Sequence, residues 1–260
     1  MDLIFDTHAH YDDRKFDEDR DTLLNSLPQQ GIGRVVNVGA SLSSCKTTMD
    51  LAKSYDFIYA AIGVHPTDIG GLNEGTFAWL KNMLMEEKAV AIGEIGLDYY
   101  WKDTDPQQQM EWFVRQLELA GELKKPVVIH SRDAAADTLD IMKGYGRDLG
   151  GIIHCFSYSV ELAREYLNMG YYLGIGGVLT FSNGRKLREV VEYAPLEQLV
   201  LETDCPYLAP SPHRGERNSS LWLPLVVDKI AEIKGISREQ VIQATWDNGN
   251  RAYKLCKCNK

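Results

Sequence analysis

The sequence lacks the long apolar runs of a membrane protein. None of its hydrophobic stretches approaches the roughly 18 consecutive apolar residues that span a bilayer. No basic leader followed by an apolar signal segment precedes Asp6. We therefore expect a cytoplasmic protein that makes no membrane contact.

Cysteine is scarce and scattered. The chain of 260 residues has 5 cysteines, at positions 45, 155, 205, 256 and 258. An odd number at irregular spacing argues against the disulfide framework of a small secreted domain. Cys256 and Cys258 form a Cys-x-Cys tail without a second pair, so no zinc knuckle is expected. Cys155 and Cys205 are interpreted as small buried hydrophobic residues.

Positive charge is in deficit. The sequence has 28 lysines and arginines against 37 aspartates and glutamates, a formal net charge of −9. Proteins that coat duplex nucleic acid normally present a broad basic face, which this composition does not supply. A polyanionic substrate would therefore have to be held by local cations or bound metal ions.

Short β-branched runs alternate with amphipathic helical patterns along the whole chain. The longest helical pattern covers residues 106–124, with apolar residues at helical spacing. Alternation of this kind indicates βαβ units and a parallel sheet. The strand candidates number eight: "LIFDTHAH", "RVVNVGA", "IYAAIGVH", "VAIGEIGLD", "PVVIHS", "GIIHCF", "YYLGIGG" and "LVLETD".

Eight such units favour an α/β fold of the TIM barrel type, (β/α)8, with residues 1–260 as a single domain. The alternative is an open, doubly wound α/β sheet. A glycine-rich phosphate-binding turn would be expected after the first strand of that fold, and this chain has His-x-His there instead.

Histidines and acids fall where the predicted strands end, which is where TIM barrels carry their chemistry. Five of the 6 histidines lie at these ends, and His213 follows strand eight. The residues concerned are His8 and His10 (strand one), His65 (three), Glu94 (four), His130 (five), His154 (six) and Asp204 (eight).

Imidazoles combined with carboxylates suit zinc, manganese, iron or, less naturally, magnesium. In this interpretation His8, His10 and Asp204 hold one metal ion, His130 and His154 hold a second, and Glu94 lies between them. Paired metal ions stabilise the attacking and leaving oxygens of a displacement at phosphorus. Asp204 is the candidate proton acceptor, so Asp204 and Glu94 are the predicted catalytic residues.

Each element also has a structural interpretation. His-x-His on a strand is compatible with a polar turn, and His130 or His154 alone with a structural histidine. Glu202 and Asp6 share strand faces with Asp204 and His8, and each is either a partner of a ligand or part of an internal salt bridge.

Candidate substrate contacts lie in the loops that follow the strands. His65 is either a substrate contact or a packing residue, and each arginine is either a phosphate ligand or a solvated charge. Tyr99, Tyr100 and Trp101 are placed to stack on a base or to form a packing lid. The predicted substrate contacts are His65, Arg132, His213, Arg214 and Arg217.

The chain resembles the TatD family of metal-dependent hydrolases, a branch of the amidohydrolase-like TIM barrels. The resemblance rests on "FDTHAH", "AIGVHP", "AIGEIGLDYY", "PVVIHSRDA", "IIHCFS", "YLGIGG", "LVLETDCPYLAP" and "RGERN", in the family's order. It implies a cytoplasmic nuclease that trims single-stranded DNA from the 3′ end. Family metal positions correspond to His8, His10, Glu94, His130, His154 and Asp204.

The resemblance further implies two divalent ions, Mg²⁺ or Mn²⁺ in function, with Zn²⁺ or Ni²⁺ as other occupants. The expected partner of a monomeric enzyme is a single-stranded DNA end or another small phosphodiester. The chain departs from the family pattern at four positions, which bear on substrate preference: Tyr11, Tyr158, Ser219 and Ser220.

Two other functions remain open at this stage. The first is hydrolysis of C–N or carboxyl-ester bonds by an amidohydrolase or deacylase. Many enzymes of that wider group bridge their metals with a modified lysine on strand four, where this chain has Glu94. The second is a barrel without catalytic activity that binds nucleic acid or a partner protein.

Overall fold

The computed structural model describes residues 3–255, and within them eight parallel strands form the central sheet. The strands pair in chain order, each in parallel with the next. They are β1 (Ile4–Ala9), β2 (Ile32–Val38), β3 (Ile58–Ala61), β4 (Ala89–Asp98), β5 (Val127–Arg132), β6 (Gly151–Ile153), β7 (Tyr172–Ile175) and β8 (Leu199–Leu201).

The first and last strands meet, which turns the sheet into a barrel. Ala9 forms a parallel bridge with Cys205. The His10 amide donates to the Cys205 carbonyl at 2.8 Å, and the Asp204 amide donates to the His8 carbonyl at 2.9 Å. The predicted (β/α)8 barrel is confirmed.

Helices surround the barrel and follow the predicted pattern. The predicted helix at 106–124 is observed as Pro106–Leu123, with proline in the first turn and Asp105 capping the Gln107 amide. In residues 3–255 the α-helices are α1 (Arg20–Ser26), α2 (Leu42–Ser54), α3 (Glu74–Met83), α4 (Pro106–Leu123), α5 (Ala135–Ile141), α6 (Val160–Asn168), α7 (Arg185–Tyr193), α8 (Leu223–Lys234) and α9 (Arg238–Ala252).

None of the helices in this part of the chain has the length and apolar character that a membrane crossing requires. Cys256 and Cys258, the predicted non-zinc tail, lie outside the described residues.

The last helix, α9, and the residue that follows it contact both strands of the barrel seam, which is the junction of β1 and β8. Asn248 on α9 donates to the carbonyls of Leu196 and Leu199 at 2.7 Å, next to β8. Just beyond α9, the Tyr253 hydroxyl donates to the Thr7 carbonyl of β1 at 2.6 Å. Since the two strands come from opposite ends of the chain, α9 stabilises the contact on which barrel closure depends.

A buried polar network lies at the same seam and decides the role of Asp6. Its carboxylate accepts hydrogen bonds from the Ser220 and Thr203 hydroxyls, at 2.6 and 2.7 Å. The Tyr11 hydroxyl lies 2.7 Å from the Ser220 hydroxyl. Burial raises the pKa of Asp6 to about 7, although these hydrogen bonds act in the opposite direction. Asp6 therefore joins β1 to the β8 loop through hydroxyl groups.

This network also accounts for two of the departures from the family pattern. Tyr11 and Ser220 are 209 residues apart in sequence, yet they share a hydrogen bond in the buried interior. A third departure, Tyr158, places its hydroxyl 2.9 Å from the Ser131 hydroxyl. Each of the three residues thus has a polar partner in the fold.

Candidate metal centre

Glu94 lies at the centre of the candidate metal site. Its carboxylate on β4 is buried, with a side-chain exposure of 6%. Imidazole nitrogens surround it on all sides. Glu94 Oε1 lies 2.8, 3.8 and 3.9 Å from His130 Nδ1, His154 Nε2 and His65 Nε2, and Glu94 Oε2 lies 3.7 Å from both His8 Nε2 and His10 Nε2.

Glycines on either side of Glu94 let β4 approach β5 closely. A side chain at Gly93 would come within 2.5 Å of the Val128 Cβ. Gly96 has a positive φ of 146°, and a side chain there would collide with the His130 carbonyl. The glycines in "GEIG" therefore bring the carboxylate of Glu94 against the imidazole of His130.

His8, His10 and Asp204 form the first group of potential ligands. His8 Nε2 and His10 Nε2 are 3.0 Å apart. Asp204 Oδ1 lies 3.3 Å from His10 Nε2 and 3.8 Å from His8 Nε2. The Asp204 side chain is 20% exposed, so it faces both this group and the cavity described below.

His130 and His154 complete a second group with Glu94. His154 Nε2 lies 3.8 Å from both Glu94 Oε1 and Asp204 Oδ1. Its ring stacks on that of His8, with centroids 3.5 Å apart, so the two groups touch. The site thus contains the six predicted ligands in the two predicted groups, with Glu94 next to both.

Donor atoms that lie within 4.8 Å of one another form four groups in residues 3–255. Two of them are the groups just described. The other two add His65, Asp98 and Glu202 to the ligand candidates. These two groups are His65–Asp98–His130 and His8–His154–Glu202.

Three of the ring nitrogens that face away from the centre have a polar neighbour, whereas His8 Nδ1 is buried without a hydrogen-bond partner among the described residues. His10 Nδ1 lies 2.8 Å from the Val38 carbonyl, and His130 Nε2 lies 3.0 Å from Asp98 Oδ2. His154 Nδ1 lies 3.1 Å from Glu202 Oε1, although the two are not aligned as a hydrogen bond. Partners of this kind orient metal-binding histidines.

The sequence predicted a candidate role in the site for Glu202 but not for Asp98. Glu202 shares a strand face with Asp204, and its position behind His154 identifies it as a partner of a ligand. Sequence reasoning missed Asp98. A signal was present, since Asp98 follows Glu94 by four residues in one strand, and even spacing places both side chains on one face.

Protons neutralise the site in the metal-free protein. Burial alone would lower the pKa of His10, but Asp204 and Glu94 outweigh it and raise the pKa to about 9. In the same way, Glu202, Asp204 and Glu94 raise the pKa of His154 to about 10. Burial and the neighbouring His154 lower the pKa of His8, which is therefore neutral.

The donor set fits divalent cations. His10 Nδ1 faces a carbonyl and His10 Nε2 faces the neutral His8, so both nitrogens of His10 carry protons. In the metal-free protein, imidazolium groups thus balance the negative charge of the buried carboxylates. A divalent cation supplies the same charge once the imidazoles lose their protons, and neutral imidazole with carboxylate is a ligand set that such cations accept.

A cavity of about 820 Å³ opens onto this centre. Its lining within residues 3–255 includes six carboxylates and a single guanidinium, that of Arg132. His65 also lines it. Burial lowers the pKa of His65 to about 4, and its Nδ1 lies 2.7 Å from the Thr67 hydroxyl, so it enters the cavity as a neutral group.

The other three predicted substrate contacts lie outside the lining of this cavity. The His213 ring stacks on Trp222, with centroids 4.3 Å apart. Arg214 lies 4.4 Å from the centroid of the Phe181 ring. Arg217 makes a two-pronged ion pair with Asp19, at 2.7 and 2.6 Å. Their side chains are occupied by intramolecular partners, so the structure does not gather the arginines at the metal site.

The barrel and this donor set together are those of a metal-dependent hydrolase. The sequence matches the family described as "TatD related DNase" over residues 5–254. The chain belongs to the TatD family of metal-dependent hydrolases.

Individual relatives cover almost the whole chain. The uncharacterized metal-dependent hydrolase YabD of Bacillus subtilis is 41% identical over 254 residues, which are 97% of this chain and 100% of the relative. The 3'-5' ssDNA/RNA exonuclease TatD of Cronobacter sakazakii is 35% identical, over 96% of this chain and 97% of the relative. The crystal structure of YJJV, a TatD homologue from Escherichia coli K12, gives a TM-score of 0.91 at 29% identity and covers 97% of this chain and 98% of that one.

Proposed function

We propose that this protein hydrolyses phosphodiester bonds and removes nucleotides from the 3′ end of single-stranded DNA. The observation that carries the proposal is the carboxylate of Glu94, which lies between two groups of potential metal ligands. The relative named as a 3'-5' ssDNA/RNA exonuclease supports the choice of substrate. We propose further that the barrel is the single catalytic domain.

Each group of side chains has a distinct task in this proposal. His8, His10 and Asp204 hold one cation, His130 and His154 hold the other, and Glu94 is shared. When bound, Mg²⁺ or Mn²⁺ supplies Lewis acidity toward water and the phosphate oxygens. Asp204 is the ligand with the more exposed carboxylate, 20% against 6% for Glu94, and it accepts the proton of the attacking water.

The cavity favours the end of a strand over the side of a duplex. Its lining within residues 3–255 has six carboxylates and one guanidinium, that of Arg132, so a long polyanion would be repelled by the carboxylates that are not metal ligands. Arg132 lies 3.7 Å from the centroid of the Tyr100 ring, and Trp101 beside it is 51% exposed. A phosphate held by the guanidinium and a base stacked on the indole would present one terminal nucleotide to the centre.

The test of the proposal is digestion of a single-stranded oligonucleotide labelled at its 5′ end, with Mg²⁺ or Mn²⁺. We expect a ladder of products shortened from the 3′ end, which a chelator and Asp204→Asn each abolish. Asp140→Asn, which changes an exposed aspartate on α5, is the matched control and should digest normally. Hydrolysis of amides or carboxyl esters without cleavage of oligonucleotides would contradict the proposal.

We expect Arg132→Ala to raise KM and to leave kcat nearly unchanged, because the guanidinium binds phosphate away from the reacting atoms. A hydrogen bond to a charged group contributes about 1.5–3 kcal/mol, so kcat/KM should fall about 10–100-fold. Arg214→Ala, which removes a guanidinium packed on Phe181, is the control and should resemble the wild type. Equal losses in the two variants would contradict a specific role for Arg132.

A further inference from the structure

Asp98 has a buried carboxylate whose two oxygens serve different parts of the site. Asp98 is the last residue of β4 and is 1% exposed. Its Oδ2 lies 3.0 Å from His130 Nε2. Its Oδ1 accepts the backbone N–H groups of Tyr100 and Trp101, at 2.9 and 3.3 Å. One side chain thus connects a candidate ligand to the loop that borders the cavity.

The backbone of Asp98 is itself fixed by a neighbouring helix. Gln109 on α4 is buried and accepts the Asp98 amide at 2.9 Å through its Oε1. Its Nε2 donates to the Asp98 carbonyl, also at 2.9 Å. This pair of hydrogen bonds fixes the backbone that carries the carboxylate.

The contact with Asp98 determines which nitrogen of His130 is free to bind a metal ion. An ionised carboxylate only accepts hydrogen bonds, so the proton of a neutral His130 is held at Nε2 when Nδ1 binds a cation. Nδ1 is the nitrogen that faces the centre, 2.8 Å from Glu94 Oε1. A donor at the position of Asp98 Oδ2 would instead favour the His130 tautomer with its proton on Nδ1. In that tautomer Nδ1, the nitrogen that faces the centre, cannot bind a metal ion.

We propose that Asp98 is a positioning residue, which makes His130 a ligand through Nδ1 and anchors the Tyr100–Trp101 loop beside it. The inference rests on the proposed function in one respect, since it takes His130 to be a metal ligand. It adds a residue outside the six ligands and assigns it a definite task.

Asp98→Asn tests the proposal with almost no change in shape. The amide oxygen can still accept the loop N–H groups, and the NH2 group is then turned toward His130 Nε2. Loss of a partner behind a metal ligand typically weakens metal affinity 10–100-fold. We expect Zn²⁺ affinity, measured by calorimetry on the metal-free protein, to fall by about that factor.

A second measurement separates this effect from general damage to the fold. At a Zn²⁺ concentration that saturates the wild type, ¹⁵N spectra of labelled histidine should show His130 with its proton on Nε2 in the wild type and on Nδ1 in Asp98→Asn. Asp137→Asn is the control, because it removes a nearby exposed carboxylate that bonds only the Tyr99 hydroxyl. If Asp98→Asn unfolds, Asp98→Glu, which keeps a carboxylate, should recover part of the Zn²⁺ affinity.

The outcomes separate a failure of the role of Asp98 from a failure of the proposed function. Wild-type Zn²⁺ affinity in Asp98→Asn, or an unchanged His130 tautomer, would overturn the role of Asp98 and leave the proposed function intact. Absence of Zn²⁺, Mg²⁺ and Mn²⁺ binding in the wild type would contradict the proposed function itself.

Discussion

Glu94→Gln is expected to abolish hydrolysis, with kcat/KM lower by about 10³-fold or more, because both groups of ligands lose the carboxylate they share. Replacing a residue that hydrogen-bonds to a metal ligand typically lowers metal affinity or activity 10–100-fold, and replacing the shared ligand itself should lower it further. The glutamine side chain has nearly the same shape but no charge, so its place beside His130 is preserved. The measurement is steady-state kinetics together with the metal content of the purified variant.

The expected loss has an electrostatic cause inside the site. The surrounding imidazoles lower the pKa of Glu94 well below its usual range, despite the opposing effect of burial. Its negative charge in turn supports protonated His10, His130 and His154. Without it, two cations in one small site would repel each other with less compensation.

Glu165→Gln is the matched control, since Glu165 is a partly exposed glutamate that pairs with Lys143 away from the metal centre. It should retain wild-type kinetics and metal content. Full metal content and a near wild-type kcat in Glu94→Gln would show that Glu94 is not the shared ligand.

The barrel and its six candidate ligands were accessible from the sequence because they depend on local periodicity. Hydrophobic alternation marks a strand, and the C-terminal ends of parallel strands meet at one side of a barrel. Strand boundaries were less accessible. β3 ends at Ala61, so His65 lies in a loop beyond it, and β8 ends at Leu201, three residues before Asp204.

Left-handed residues follow two of the strands, β6 and β8. Cys155 and Asp204 have positive φ values of 45° and 56°, which a regular strand does not contain. The backbone therefore leaves the sheet near His154 and at Asp204, and their side chains turn toward the centre. Residue pattern alone does not reveal a left-handed residue that is not glycine.

The conformation of the loop after β8 could not be predicted from the sequence, because it depends on contacts with residues far away in the chain. Arg217 is held by Asp19, and Arg214 packs on Phe181. The contact between Tyr11 and Ser220 has the same character. Asp98 was missed for another reason: its even spacing from Glu94 places it on the same strand face, but the pattern does not identify His130 as the side chain that it contacts.

The overall affinity for the two cations together is expected to rise steeply with pH, by about 100-fold for each pH unit between about pH 6 and about pH 8. In the metal-free protein the pKa of His10 is about 9 and that of His154 is about 10. Both groups are therefore protonated throughout this interval, and each must lose its proton before its nitrogen can bind a cation. His8 is neutral already and contributes no proton.

Metal affinity rises with pH because protons and cations compete for the same imidazole nitrogens. A raised pKa favours the proton at every pH below that pKa. Binding of both cations releases two protons, one from His10 and one from His154, which gives a slope of two in the logarithm of the overall two-cation affinity against pH, and calorimetry in buffers of different ionisation enthalpy counts the protons directly. His130, whose pKa is also raised by Asp98 and Glu94 against the effect of burial, can only add to the count.

Glu202→Gln provides an internal check on the proton count. Burial opposes protonation of His154, and the charge of Glu202 is the largest of the influences that raise its pKa. Removing that charge should lower the pKa of His154, reduce the number of protons released, and flatten the pH dependence toward a slope of one. A wild-type slope of one or less would mean that the cation does not displace protons from both His10 and His154, and that the metal ions are held elsewhere in the site.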